Sequence, residues 1–204
     1  MRTIITRNLA VVLAVLGVLA LVPAGAGAKS WFGSSLNHEP ANAGSPCDPS
    51  VTTPLMCTHV GSLYPGTSGR VKAPFNGKVI RIRVRAAGAM TLKFKLVKVR
   101  SLSSDDRQGQ AKVVKVGPTL HVNGPSSDQL SNGIFPIESF KVHLKVRKGQ
   151  ELAIDTTNNQ AEYCSDGTPG QLTFYNPFLR AGQGFRSSTG VDDCLLLVQA
   201  VVKR

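Results

Sequence analysis

The strongest constraint in this chain is an alternation of period two. Residues 80 to 85 read Ile80-Arg81-Ile82-Arg83-Val84-Arg85, apolar and basic by turns. Leu92-Lys93-Phe94-Lys95-Leu96 repeats the pattern, and so does Phe140-Lys141-Val142-His143-Leu144-Lys145-Val146. In an extended strand successive side chains leave on opposite faces, so each run buries one face and wets the other; wound into a helix, it would scatter charge around the axis. Further strand candidates are Met56 to Leu63, Lys112 to Val116, Thr119 to Val122, Leu152 to Asp155, Leu172 to Tyr175 and Leu195 to Val202. Asn76-Gly77, Asn123-Gly124-Pro125, Asn132-Gly133, Lys148-Gly149 and Asp166-Gly167 supply turns between candidates. The adjacent pair Leu96-Val97 breaks the phase and predicts a bulge or a strand that changes sheet. The run Leu195-Leu196-Leu197-Val198 is apolar in both phases and predicts a strand inside a sheet. Roughly nine strands over about 150 residues, with no helical stripe beyond single turns, predict an all-β fold: a two-sheet antiparallel sandwich, read as a jelly roll.

The start of the chain is read apart from that fold. Arg2 and Arg7 precede fourteen apolar residues, Leu9 to Val22, followed by Pro23 and the small-residue site Ala26-Gly27-Ala28. This is the pattern of a signal peptide, and its core is too short to span a bilayer. The expectation is therefore cleavage near Ala28 and a secreted or extracytoplasmic product without a transmembrane segment. Residues 29–54 contain Pro40, Pro46, Pro49 and Pro54 among Asn, Ser and Gly, and read as an irregular N-terminal arm. Residues 55–204 read as one domain.

Cys47, Cys57, Cys164 and Cys194 all follow the leader, and an even count in an exported chain reads as disulfides. Of three possible pairings, Cys47 with Cys57 and Cys164 with Cys194 close local loops, worth about 3 and about 4 kcal/mol by chain entropy. A zinc site is disfavoured because no C-x-x-C unit occurs and His38, His59, His121 and His143 stand singly.

Two segments carry a family resemblance. Ala73-Pro74-Phe75-Asn76-Gly77-Lys78-Val79 enters an alternating strand, and Phe140 to Val146 runs into Arg147-Lys148-Gly149-Gln150-Glu151-Leu152. Together they resemble uncharacterised secreted bacterial jelly-roll domains over most of residues 55–202. Similar folds include carbohydrate-binding modules, so the resemblance implies a binding role and transfers no site residue.

The chain has 24 Lys+Arg against 12 Asp+Glu; without Arg2 and Arg7 the basic count is 22, an excess of +10. Such a field favours anionic polymers or surfaces. Its concentrated part is the polar phase of three strands: Arg81, Arg83 and Arg85; Lys93 and Lys95; Lys141 and Lys145, with His143. Were these strands neighbours, their cations would form one binding face for an anionic glycan or cell-wall polymer. The competing reading is a solubility device that also discourages edge pairing. Aromatic rings for sugar stacking are few, with Trp31 in the arm and Tyr64, Tyr163, Tyr175, Phe178 and Phe185 near strand ends or loops. Asp192-Asp193 starts a calcium loop without completing one. No nucleophile elbow, zinc-protease helix or phosphate loop occurs, and no cofactor motif. Basic strands lacking interleaved aromatics do not suggest a dedicated nucleic-acid binder. The expected function is an exported, non-enzymatic sandwich binding an anionic polymer; a structural or protein-interaction domain ranks second and a secreted hydrolase third.

Overall fold

The computed structural model describes residues 27–41, 57–63, 66, 68–101, 109–156, 160–164 and 171–204. The leader before residue 27, the arm from 42 onward, Cys47 and the Asp166-Gly167 turn lie outside the described residues. The strands are β1 Lys29–Ser34, β2 Cys57–Leu63, β3 Gly69–Arg70, β4 Gly77–Arg85, β5 Met90–Ser101, β6 Gly109–Val122 and β7 Ile137–Val146. They continue as β8 Glu151–Thr156, β9 Glu162–Cys164, β10 Gln171–Tyr175, β11 Arg186–Ser187, β12 Gly190–Asp192, β13 Cys194–Leu196 and β14 Val198–Lys203. One helical turn, α1 Ser127–Ser131, is capped reciprocally by Ser126 and Gln129.

Two antiparallel sheets pack together. One has the order β3-β1-β14-β4-β7 and the other β11-β6-β5-β8-β2-β10-β12, while β9 and β13 pair separately. Eight strands carry the topology: β1-β14-β4-β7 face β2-β8-β5-β6. Counted along the chain these are 1-8-3-6 against 2-7-4-5, the strand order of a jelly roll.

The alternation sets the core. Val79, Ile82 and Val84 of β4, Val142, Leu144 and Val146 of β7, and Val198, Ala200 and Val202 of β14 point inward from one sheet. Leu92, Phe94 and Leu96 of β5 and Leu152 and Ile154 of β8 meet them from the other. Each fully buried aliphatic or aromatic side chain here contributes roughly 1.5–3 kcal/mol.

Three expectations change in detail. Ile80 does not share the inward phase of Ile82 and Val84, because the pairing with β14 shifts between Val201 and Val202, and Val79 takes the core position. The arm is not irregular throughout, since Lys29–Ser34 forms β1 beside β14 and buries Phe32. The C-terminal run is two strands, β13 and β14, interrupted at Leu197; β14 is inside its sheet as expected.

The outer face of the seven-stranded sheet carries a second core. After β10 on one side of the sheet, residues 176–185 cross the face and reach β6 on the other side, where Arg186 of β11 pairs with Ala111. Beneath this strap lie Val60, Val97, Ala111, Val113, Ala153 and Tyr175, and Leu179 packs onto them from the strap itself. Hence Leu96 and Val97 are both buried, one on each face, and β5 shifts register against β6 between them.

Candidate functional site

β4 and β7 are adjacent, so Arg81, Arg83, Arg85, Lys141 and Lys145 share the outer face of the five-stranded sheet. Lys93 and Lys95 do not join them: both belong to β5 in the other sheet. Lys93 is exposed, while Lys95 is only 2% exposed. Strand periodicity puts Lys95 on the outer face correctly. The strap, contributed by residues more than eighty positions later, turns that face into an interior.

The outer face of the five-stranded sheet gathers cations that the alternating runs alone do not reveal. Lys29 lies opposite Lys203, Lys203 opposite Lys78, and Lys78 opposite Lys145, giving four exposed lysines in one row across β1, β14, β4 and β7. A second row runs Trp31, Val201, Arg81, Lys141. Trp31 is half-buried, and the Arg70 guanidinium sits 5.4 Å from its ring centroid. A third row sets Gln199 beside Arg83, whose Nη1 donates to Gln199 Oε1 at 2.9 Å. Gln199 Nε2 donates in turn to Ser34 O. Arg85 is a structural cation: its Nε donates to Phe135 O at 2.9 Å and its Nη1 to His38 O at 3.0 Å, with Glu39 at 4.0 Å.

At the lysine end the sheet opens into a concavity of about 660 Å³, lined among others by Lys78, Ile80, Lys145, Arg147, Lys203 and Arg204. Arg204 packs over Phe75 at 4.8 Å from the ring centroid. Among the described residues no carboxylate lies within ion-pair distance of Lys29, Lys78, Arg81, Lys141, Lys145 or Lys203. Like charges directly opposite one another across strands repel and are destabilising, and an anion laid over them relieves that cost. Lys203 was legible as the polar position after Val202. Trp31 and Lys29 were not, because nothing local shows that β1 pairs with the last strand.

The other predicted residues are dispersed. Asp192 ends β12, and its Oδ1 accepts from the Asp193 backbone N–H at 2.9 Å, the bond of a local turn. His59 is fully buried, with Nδ1 2.7 Å from Glu162 Oε1. General acid–base chemistry needs substrate within hydrogen-bond reach, and this pair has no solvent access. The backbone register puts Cys194 directly opposite Cys164. Among the described residues no helix is long and apolar enough to cross a membrane.

Glu151, at the start of β8, is only 3% exposed. Desolvation raises its carboxyl pKa from 4.5 to about 7, partly offset by the charge of Lys72. A raised folded pKa means that the folded state holds the proton more tightly, so this contribution is complete below the unfolded value and is lost as pH rises toward neutrality. The gap corresponds to roughly 3 kcal/mol. Glu151→Gln is therefore expected to stabilise the protein at pH 8 by up to about that amount, and far less at pH 4. Urea denaturation at both pH values checks this; equal effects at the two would show that Glu151 does not titrate with folding.

No family model, curated protein or solved structure matches the chain.

Proposed function

We propose that this protein is exported and acts, without catalysis, as a binder of anionic glycan or cell-wall polymer, using the outer face of its five-stranded sheet. The observation that carries the reading is the four-lysine row across β1, β14, β4 and β7, held without carboxylate partners among the described residues. Neighbouring strands lie about 4.8 Å apart, so the row presents a cation at each strand spacing, a density suited to a polymer with closely repeated charges. Trp31 in the next row supports a sugar polymer in particular, because a partly exposed ring offers a flat apolar surface for a sugar face.

Export supplies the setting. The small-residue site ends at Ala28, and β1 begins at Lys29, so cleavage there would leave the strand whole and put the new α-ammonium at the end of the lysine row. Oxidation fits the same setting. Cys164 and Cys194 face one another in register, and we assign them to one disulfide and Cys47 with Cys57 to the other.

The test is binding to immobilised heparin, as a sulfated-glycan probe, against neutral dextran at several salt concentrations. Lys78→Gln combined with Lys145→Gln should reduce the slope of log affinity against log salt by about 2, one for each lost contact. Stability should stay within about 0.5 kcal/mol, since both side chains are exposed. A slope unchanged by the pair, but reduced by Lys93→Gln on the other sheet, would move the binding face away from the one proposed.

A further inference from the structure

Among the described residues the closest charged contact lies under the strap, away from the lysine row. Lys95 Nζ touches Asp155 Oδ2, and the two side chains are 3% and 1% exposed. They project from neighbouring antiparallel strands, with Asp155 opposite Lys93 and Lys95 one pleat further along. Lys95 Nζ donates to Leu179 O, and the Phe178 ring covers it at 5.0 Å from the centroid. Asp155 Oδ1 accepts from Thr58 Oγ1 at 2.5 Å. Because Thr58 Oγ1 itself accepts from Leu179 N at 2.8 Å, its single proton is committed to the Asp155 carboxyl. Oδ2, buried, faces the Lys95 ammonium and takes no further hydrogen bond, so it is the oxygen with the fewer partners.

We propose that Lys95 and Asp155 condense to an amide between Nζ and Cγ, cross-linking β5 to β8. The amine attacks Cγ, and negative charge developing on Oδ1 is met by the Thr58 hydroxyl, a donor already in place. The new N–C bond forms as the C–Oδ2 bond breaks. Oδ2 collects the protons given up by nitrogen and leaves as water, so ammonium plus carboxylate becomes amide plus water, with no oxidant, reductant or third reactant. Burial favours the step twice. Desolvation lowers the Lys95 pKa, opposed by the hydrogen bond and charge of Asp155, which brings the amine toward its nucleophilic form. The product also replaces two desolvated charges by one neutral group. Holding the two groups in contact supplies the proximity that a bimolecular condensation lacks. The leaving water has an exit, since a concavity of about 450 Å³ lined by Lys93, Lys95, Asp155, Phe178 and Arg180 opens beside the pair.

The inference is independent of the binding face, and its failure would leave that reading untouched. The test is the intact mass of the folded wild-type protein after prolonged incubation, read after denaturation and reduction, followed by a tryptic map. The expected result is a mass short by one water, with Lys95 resistant to trypsin and its fragment joined to the one containing Asp155. Lys95→Arg should show the full mass, and Asp155→Asn should reach the same cross-linked product by losing ammonia instead. A wild-type protein of full mass overturns the proposal. So does a lost water that maps to Asp166-Gly167, where an Asp-Gly pair can cyclise to a succinimide.

Discussion

Replacing Lys95 by methionine is expected to destabilise the protein by roughly 3–5 kcal/mol, because it leaves the Asp155 carboxylate buried without its cation. Lys93→Met, two residues away in the same strand and the same phase, should change stability by no more than about 0.5 kcal/mol. The two lysines are equivalent in the alternating sequence and opposite in the folded protein: one is exposed, and the other touches Asp155 beneath Phe178 and Leu179. Urea unfolding of both variants measures the contrast. Equal small losses would mean that the strap does not seal the face and that Lys95 reaches water. The effect has the same sign whether the pair stands as ions or as the proposed amide, and the mass of the wild-type protein separates those two states.

Phe94→Ala should cost roughly 3–5 kcal/mol, the range for deleting a buried phenyl ring. The ring is fully buried in the inter-sheet core, and the backbone of β6 is shaped to admit it. A Cβ on Gly117 would stand 2.6 Å from the Phe94 ring, and β5 shifts register against β6 between Lys93 and Lys95, at the same place. Gly117 thus gives the ring the space that a side chain would take, and the vacated volume cannot close without moving two strands. The check is the urea midpoint at an unchanged denaturant slope. A loss under about 0.5 kcal/mol would place Phe94 at the surface and reverse the phase of β5.

These two residues mark where the sequence is legible. Phe94 was readable because the alternation is local: its neighbours on both sides are basic, and period two sends it inward whatever the rest of the chain does. The same holds for Ile82, Val84, Val142 and Leu144, and the all-β class follows from them. Lys95 was not readable, since its burial depends on a strap more distant along the chain than any pattern window. The basic face was half legible. Arg81 and Lys141 show their phase in sequence, but only the pairing of β4 with β7 brings them together, and only the pairing of β14 with β1 adds Lys203, Lys29 and Trp31. Local periodicity determines which side a residue faces; which residues become its neighbours is a property of the topology.

The pairing of β1 with β14 has a kinetic consequence. Gln199 Nε2 donates to Ser34 O across 165 residues of sequence, and β14 is the strand between β1 and β4. The five-stranded sheet therefore cannot close until β14 docks between β1 and β4, which gives this topology high contact order and slow folding, on the order of milliseconds to seconds. Until then β4 presents an unpaired edge with the run Val79-Ile80-Arg81-Ile82-Arg83-Val84. Such an edge is a template for pairing with another chain, and the arginines that alternate along it serve as gatekeepers against aggregation during that interval.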